Sequence, residues 1–133
     1  MKTSILALLM CFQITPIKVY NELVKQGVKC PEIVLRQSIL ETGWYGCTGC
    51  SLDVNNLFGL TYYDKQAQKR RYQSFENWTE SVAKYKKWQD KYYKGGDYYD
   101  FLECVYKNKK GECKRYATNP TYISKLKNIK VDV

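Results

Sequence analysis

The 133 residues contain no histidine. That absence excludes Ser-His-Asp and Cys-His catalysis, His-ligated metal and imidazole acid–base chemistry. Proton transfer must fall on carboxylates, tyrosines, lysines or thiols. Acidic residues are scarce: 13 Asp and Glu face 22 Lys and Arg, a net charge of +9. Arginine is scarce among the cations, limited to Arg36, Arg70, Arg71 and Arg115. Proteins that read nucleic-acid sequence lean on Arg for bidentate base contacts, so the basic balance alone is a weak pointer to nucleic acid. Nucleic acid, an anionic membrane surface and a bacterial cell wall are all partners that a basic surface suits. The longest apolar run near the start, Ile5 to Phe12, is too short to span a bilayer. Aromatics are plentiful instead, with 13 Tyr, 4 Phe and 3 Trp. An apolar share of 44% and this length fit one compact domain.

Met1 to Gln13 reads MKTSILALLMCFQ, one Lys followed by the short apolar run. The segment resembles the charged and apolar regions of a secretory leader. Residues 1–15 are therefore expected to be a signal peptide and residues 16–133 the working domain, exported to the periplasm, envelope or exterior. Lipoprotein anchoring at Cys11 is disfavoured, because Met10 is the wrong size for that processing site. Beyond the leader stand Cys30, Cys47, Cys50, Cys104 and Cys113, an odd count that leaves one thiol over. Cys104 and Cys113 flank a polar stretch and are expected to close a disulfide. Cys30 is expected to pair with Cys47 or Cys50. Cys47-x-x-Cys50 is half of a zinc site, but no second such pair and no His follows. No metal and no cofactor are expected.

Pro16 to Gln26 predicts a helix opened by Pro and closed by Gly27. Cys30-Pro31 to about Thr42 predicts a second, stopped by Gly43. Gln37 and Glu41 are four apart and share its face. Residues 43–56 read as loop. Leu57 to Tyr63 and Lys69 to Phe75, separated by a polar turn, predict a small β-hairpin. Ser74 to Tyr93, Tyr98 to Tyr106 and Pro120 to about Lys127 predict three further helices. The expected class is mostly α with a minor β element.

Glu41 is the residue best suited to chemistry. It ends an apolar helix and is followed at once by Thr42, Gly43 and Trp44. A carboxyl wedged between an apolar helix and an aromatic loop loses water, and desolvation makes it a proton donor near neutral pH. Cleavage of a glycosidic bond needs such a donor.

The stretch Gln37-Ser38-Ile39-Leu40-Glu41-Thr42-Gly43-Trp44, then Asn55-Asn56-Leu57-Phe58-Gly59-Leu60, resembles the bacterial glucosaminidases of glycoside hydrolase family 73. The resemblance continues through Phe75 to Tyr85 and ends in Tyr116-Ala117-Thr118-Asn119-Pro120-Thr121-Tyr122, spanning about residues 16–130. It implies a lysozyme-like helical domain that hydrolyses the β-1,4 bond between N-acetylglucosamine and N-acetylmuramic acid. Its substrate would be the glycan strands of peptidoglycan, and a monomer is expected. Glu41 matches the family's general acid. Asn56, Phe58 and Gly59 match the element that shapes the sugar cleft. Tyr116 matches a cleft tyrosine and is a further catalytic candidate, whose hydroxyl would orient a water or the substrate's N-acetyl group, and Tyr122 closes the same segment. Trp44, Tyr62, Tyr63 and Trp78 are the expected stacking surfaces for sugar rings. A second acid is weakly marked: Asp64 and Glu76 are the candidates, and each reads equally well as a turn or helix-start residue. Two rival readings stand beside this one, a non-catalytic wall-binding module on the same fold and a small basic nucleic-acid binder.

Overall fold

The structure is a computed structural model in which residues 13–133 are described. Most of the expected leader, Cys11 included, lies outside the described residues. Ile14 packs against the core, and the Thr15 hydroxyl caps the first helix by accepting from the Lys18 N–H. Five α-helices are present among the described residues: α1 (Pro16–Lys25), α2 (Pro31–Thr42), α3 (Trp78–Tyr92), α4 (Tyr98–Glu103) and α5 (Tyr122–Asn128). Two antiparallel hairpins interrupt them, β1 (Thr61–Asp64) with β2 (Lys69–Tyr72) and β3 (Tyr106–Lys107) with β4 (Cys113–Lys114). The fold is mostly helical with a minor β component, as the sequence predicts.

Several features differ from expectation. The first hairpin is confined to Thr61–Asp64 and Lys69–Tyr72, because residues 57–60 form a buried turn bound by Asn56, and the last helix starts at Tyr122 and not Pro120. Helix α3 starts at Trp78 and not Ser74, because the Asn77 side chain takes the cap and accepts from the Glu80 N–H. Helix α4 stops at Glu103, and the chain turns at Cys104 into the β3–β4 hairpin, which local patterning does not reveal. Cysteine pairing differs as well. Cys47 bonds Cys50 and Cys104 bonds Cys113, whereas Cys30 is a free thiol. Cys30 sits at the start of α2 with its sulfur 3.9 Å from the Tyr93 hydroxyl, and it does not pair with either member of the CxxC.

The core joins Val19 and Leu23 of α1, Val34 and Ile39 of α2, Val82 and Tyr85 of α3, and Leu126 of α5. A polar network runs through its middle. The Tyr85 hydroxyl donates to Gln37 Oε1 at 2.5 Å and lies 2.6 Å from the Tyr98 hydroxyl. Gln37 Nε2 donates to the Tyr122 hydroxyl at 3.1 Å. Gln89 Nε2 donates to Tyr98 at 3.0 Å, and its amide also exchanges two hydrogen bonds with the Lys29 backbone. One network thus ties α2, α3, α4 and α5 together in a fixed register. Buried polar groups are tolerable only when satisfied, and these are.

Gln37→Leu removes the acceptor for Tyr85 and the donor for Tyr122 at nearly constant volume. It is expected to cost about 2–3 kcal/mol. Urea unfolding should show the midpoint falling with the slope unchanged.

Candidate active site

Glu41 lies one helical turn beyond Gln37 on the same face of α2. Gln37 is anchored in the core, so the carboxyl is delivered to the core's edge on a rigid stem. Helix α2 ends immediately after it. Gly43, Trp44 and Tyr45 all adopt positive φ, at 53°, 57° and 62°. Consecutive left-handed residues are strained when they carry side chains. The Tyr45 N–H donates to Thr42 Oγ1 at 2.9 Å, and the Tyr45 hydroxyl lies 2.7 Å from Ser38 Oγ. These bonds hold the turn that leads the chain sharply away from Glu41.

The segment Asn56 to Leu60 closes over the carboxyl. Asn56 is fully buried and spends its whole amide on this turn. Its Oδ1 accepts from the Phe58 and Leu60 N–H groups at 3.3 and 3.1 Å. Its Nδ2 donates to the Leu60 and Gln73 carbonyls at 2.8 and 3.0 Å. Phe58 is fully buried and packs on Tyr85 at 4.7 Å between ring centroids. Gly59 is thereby pressed onto Glu41. A Cβ at Gly59 would stand 2.7 Å from Glu41 Oε2, and the backbone there has φ +66°. Only glycine satisfies both constraints.

The approach leaves the carboxyl poorly hydrated, and burial raises its pKa from 4.5 to about 7. Tyr116 braces the same turn from the other side. Its hydroxyl donates to the Phe58 carbonyl at 2.5 Å. Burial, with the nearby Tyr122 and Glu41 adding to it, pushes the Tyr116 phenol well above its ordinary pKa. That hydroxyl therefore stays protonated and remains a donor.

Above Glu41 opens a cleft of about 510 Å³. Gly59, Leu60, Thr61, Arg70 and Gln73 form one side. Trp88, Tyr92, Tyr106 and Tyr116 are the aromatics in its wall. They touch in series: Tyr106 stacks on Tyr92 at 5.5 Å, Tyr92 meets Trp88 at 5.9 Å, and Trp88 meets Tyr116 edge-on at 5.2 Å. Flat aromatic faces beside a partly desolvated carboxyl suit a sugar polymer.

Residues 17–132 match the glucosaminidase family model, described as mannosyl-glycoprotein endo-beta-N-acetylglucosaminidase. The chain belongs to the glucosaminidase family. No curated protein and no solved structure matches it. Family membership places the chain among glycosidases, with a glycan as substrate.

The structure brings some of the expected site residues together and separates others. Glu41, Gly59 and Tyr116 meet at the cleft. Asn56, Phe58 and Tyr122 lie beneath it in the core and shape it from below. Asp64 sits at the tip of the β1–β2 hairpin. Its Oδ1 accepts from the Gln66 and Ala67 N–H groups at 3.0 and 3.1 Å, and its Oδ2 pairs with Arg71 Nε at 2.8 Å. The Ala67 N–H above all, then Arg71 and Gln66, holds its carboxyl below the usual range. Glu76 is exposed ahead of α3, outside the cleft wall, with its N–H donated to Glu80. Trp44 and Tyr62 are about half exposed, and neither forms part of the cleft wall. Strand pairing sets Tyr63 opposite Arg70 and Tyr62 opposite Arg71, so the two tyrosines project from opposite faces of the hairpin. Trp78 packs against the core.

Trp88, Tyr92 and Tyr106 are the cleft aromatics that sequence reasoning missed. The i, i+4 spacing of Trp88 and Tyr92 on α3 was the available signal. Tyr106 had none, since its place depends on the unforeseen β3–β4 hairpin.

Gly59→Ala displaces the Glu41 carboxyl or the turn against it and strains a positive-φ position. Activity is expected to fall about 10²-fold, because small displacements of a catalytic group cost that much. Stability should drop by only about 1–2 kcal/mol. Glycan-release kinetics and thermal melts on the same sample check both.

Proposed function

We propose that the chain is a peptidoglycan hydrolase that cleaves the β-1,4 bond between N-acetylglucosamine and N-acetylmuramic acid, with Glu41 as general acid. One observation carries this reading. A single desolvated carboxyl, with a pKa of about 7, sits in a cleft walled by aromatics. Such a group still holds its proton near neutral pH and gives it to the glycosidic oxygen as the C1–O bond breaks.

Glu41 is the one carboxylate in the cleft wall among the described residues. Retaining and inverting carboxyl pairs both require a second acid across the bond. Asp64 is committed to its turn, and Glu76 lies outside. The reading therefore takes the substrate's own acetamido oxygen as the nucleophile at C1. That attack yields a cyclic oxazolinium and leaves Glu41 ionised. Water then attacks C1, and Glu41 takes the water's proton. The ring opens, the acetamido group is restored, and configuration at C1 is retained. Tyr116 acts as a positioning residue, since its hydroxyl is engaged by the Phe58 carbonyl. Trp88, Tyr92 and Tyr106 offer faces to the sugar rings. Two disulfides fit an oxidising, extracytoplasmic setting, where peptidoglycan lies. The protein works there as a monomer.

The test is digestion of purified peptidoglycan by the protein and by Glu41→Gln, with the fragments reduced by borohydride and read by mass spectrometry. New reducing ends on N-acetylglucosamine are expected, falling about 10²–10⁴-fold in the variant. Ends on N-acetylmuramic acid would make it a muramidase. No release from folded protein would leave a wall-binding module.

The pH dependence follows from the same carboxyl. kcat/KM should decline above about pH 7, as Glu41 loses the proton it must donate. Stability runs the same way. The folded pKa is raised from 4.5 to about 7, so the linked stabilisation is complete below the lower value and is lost as pH rises through the higher. Glu41→Gln should therefore melt above the parent at pH 8, by a few degrees, with the gap closing towards pH 5.

A further inference from the structure

The cleft carries more charge than bond cleavage uses. Arg70, Lys84, Lys114 and Arg115 all line it, and all four are exposed. They come from three separate places in the chain: strand β2, the middle of α3, and β4 with the residue after it. None has a carboxylate partner among the described residues. The ion pairs there are Arg71 with Asp64 and Lys86 with Asp90, and none of those four residues lines the cleft. Arg70 is also aimed. Its Nε donates to Thr61 Oγ1 at 2.9 Å, which fixes the guanidinium on the cleft side of the hairpin, while its neighbour Arg71 is held on the opposite face. Glu41 is ion-paired with none of them, since the ion pairs among the described residues leave it out. Four like charges converging on one concavity repel one another unless a counter-charge arrives with the ligand.

We propose that Arg70, Lys84, Lys114 and Arg115 recognise carboxylates on the glycan, so that the cleft selects carboxylate-bearing strands over neutral N-acetylglucosamine polymers. The inference rests on the glycan reading above. It adds that charge, beyond the sugar rings, decides which glycan is held. A planar guanidinium grips a carboxylate through two parallel hydrogen bonds, and the lysines add point charges along the rest of the wall. Two sources supply this carboxylate in peptidoglycan. One is the lactyl group of muramic acid once its peptide has been removed. The other is the set of acidic groups on the attached stem peptide.

The test uses binding and turnover side by side. Glu41→Gln is titrated calorimetrically with three probes: a neutral N-acetylglucosamine oligomer, peptide-free strands with bare lactyl carboxylates, and soluble peptide-bearing strands. Each charged probe is also tested after its carboxylates are converted to amides. At least one charged probe should bind about tenfold more tightly than the neutral one, with amidation erasing the difference. Which probe gains identifies the source. Adding Lys84→Gln and Arg115→Gln should weaken charged probes about tenfold and leave the neutral oligomer unchanged. In the active enzyme the same pair should raise KM with kcat held.

Lys25→Gln with Lys130→Gln, both outside the cleft, removes equal charge and serves as the control. If the control weakens charged probes equally, net charge alone is responsible and the proposal fails. It fails too if the neutral oligomer binds as tightly as the charged strands while the enzyme digests peptidoglycan, and the hydrolase reading then stands. If instead no fragments are released, yet carboxylate binding is lost with the cleft cations, carboxylate recognition stands and the hydrolase reading falls.

Discussion

A carboxyl kept from water with no cation to neutralise it is the constraint around which this molecule is arranged. Ionising such a group is costly, so the fold must supply a pocket tight enough to exclude water and stiff enough not to relax. Gly59 supplies the tightness, because no other residue lets backbone approach Glu41 Oε2 so closely at φ +66°. Stiffness comes from both flanks of the turn. Asn56 binds it from within through four hydrogen bonds, and Tyr116 clamps the Phe58 carbonyl from across the cleft. Residues that match the family's cleft-shaping element thus serve the site from below the surface, by holding the backbone that holds the carboxyl.

The stem of the carboxyl is equally determined. Gln37 is locked by Tyr85 and Tyr122, and it lies one turn before Glu41. Any slip of α2 along its axis would break two buried hydrogen bonds before it moved the acid by a full turn. The core network and the Glu41 carboxyl therefore belong to one mechanical unit. That unit explains why so polar a centre is retained in a domain of this size. A purely apolar core could be as stable, yet it would fix the register of α2 less sharply.

Much of this was legible in the sequence, for a physical reason. Helix starts and stops depend on neighbours, so Pro16, Pro31 and Gly43 marked α1 and α2 correctly, and the 37–41 spacing placed the acid. Glu41 was legible because its helix, its glycine stop and the turn matching the family lie within about twenty residues. The cleft's far wall was not. Strands β3 and β4 have two residues each, too few for any periodic pattern, and the Cys104–Cys113 disulfide, with Cα atoms 4.8 Å apart, closes them. The exposed aromatics that follow α2 in sequence, Trp44 and Tyr62, were expected as sugar platforms and lie outside the cleft wall. The aromatics that line the cleft are Trp88 and Tyr92 on α3, Tyr106 and Tyr116. Cys30 escapes a sequence reading for the same reason: its nearest partner in space is Tyr93, more than sixty residues away. A left-over thiol was foreseeable from the odd count, but its identity was a matter of tertiary geometry.

The disulfide-closed hairpin carries a further consequence for how the cleft is completed. A two-residue ladder is marginal on its own. Yet this one presents Tyr106 to Tyr92, places Lys114 on the cleft wall, and leads directly into Arg115 and Tyr116. Tyr116 is anchored at the far end, through its N–H to the Leu102 carbonyl and its ring against Trp88. The hairpin is thus pinned at one end by packing and along its length by one covalent bond. Closing the nine-residue span removes chain entropy from the unfolded state that one ladder of two residue pairs could not offset. The stem of Glu41 is set by the helical core, whereas the outer aromatic and cationic wall and the chain leading into Tyr116 run through the hairpin that this bond closes. In this protein the Glu41 carboxyl is carried by the helical core, and the outer aromatic and cationic wall of the cleft is carried by the disulfide-closed hairpin.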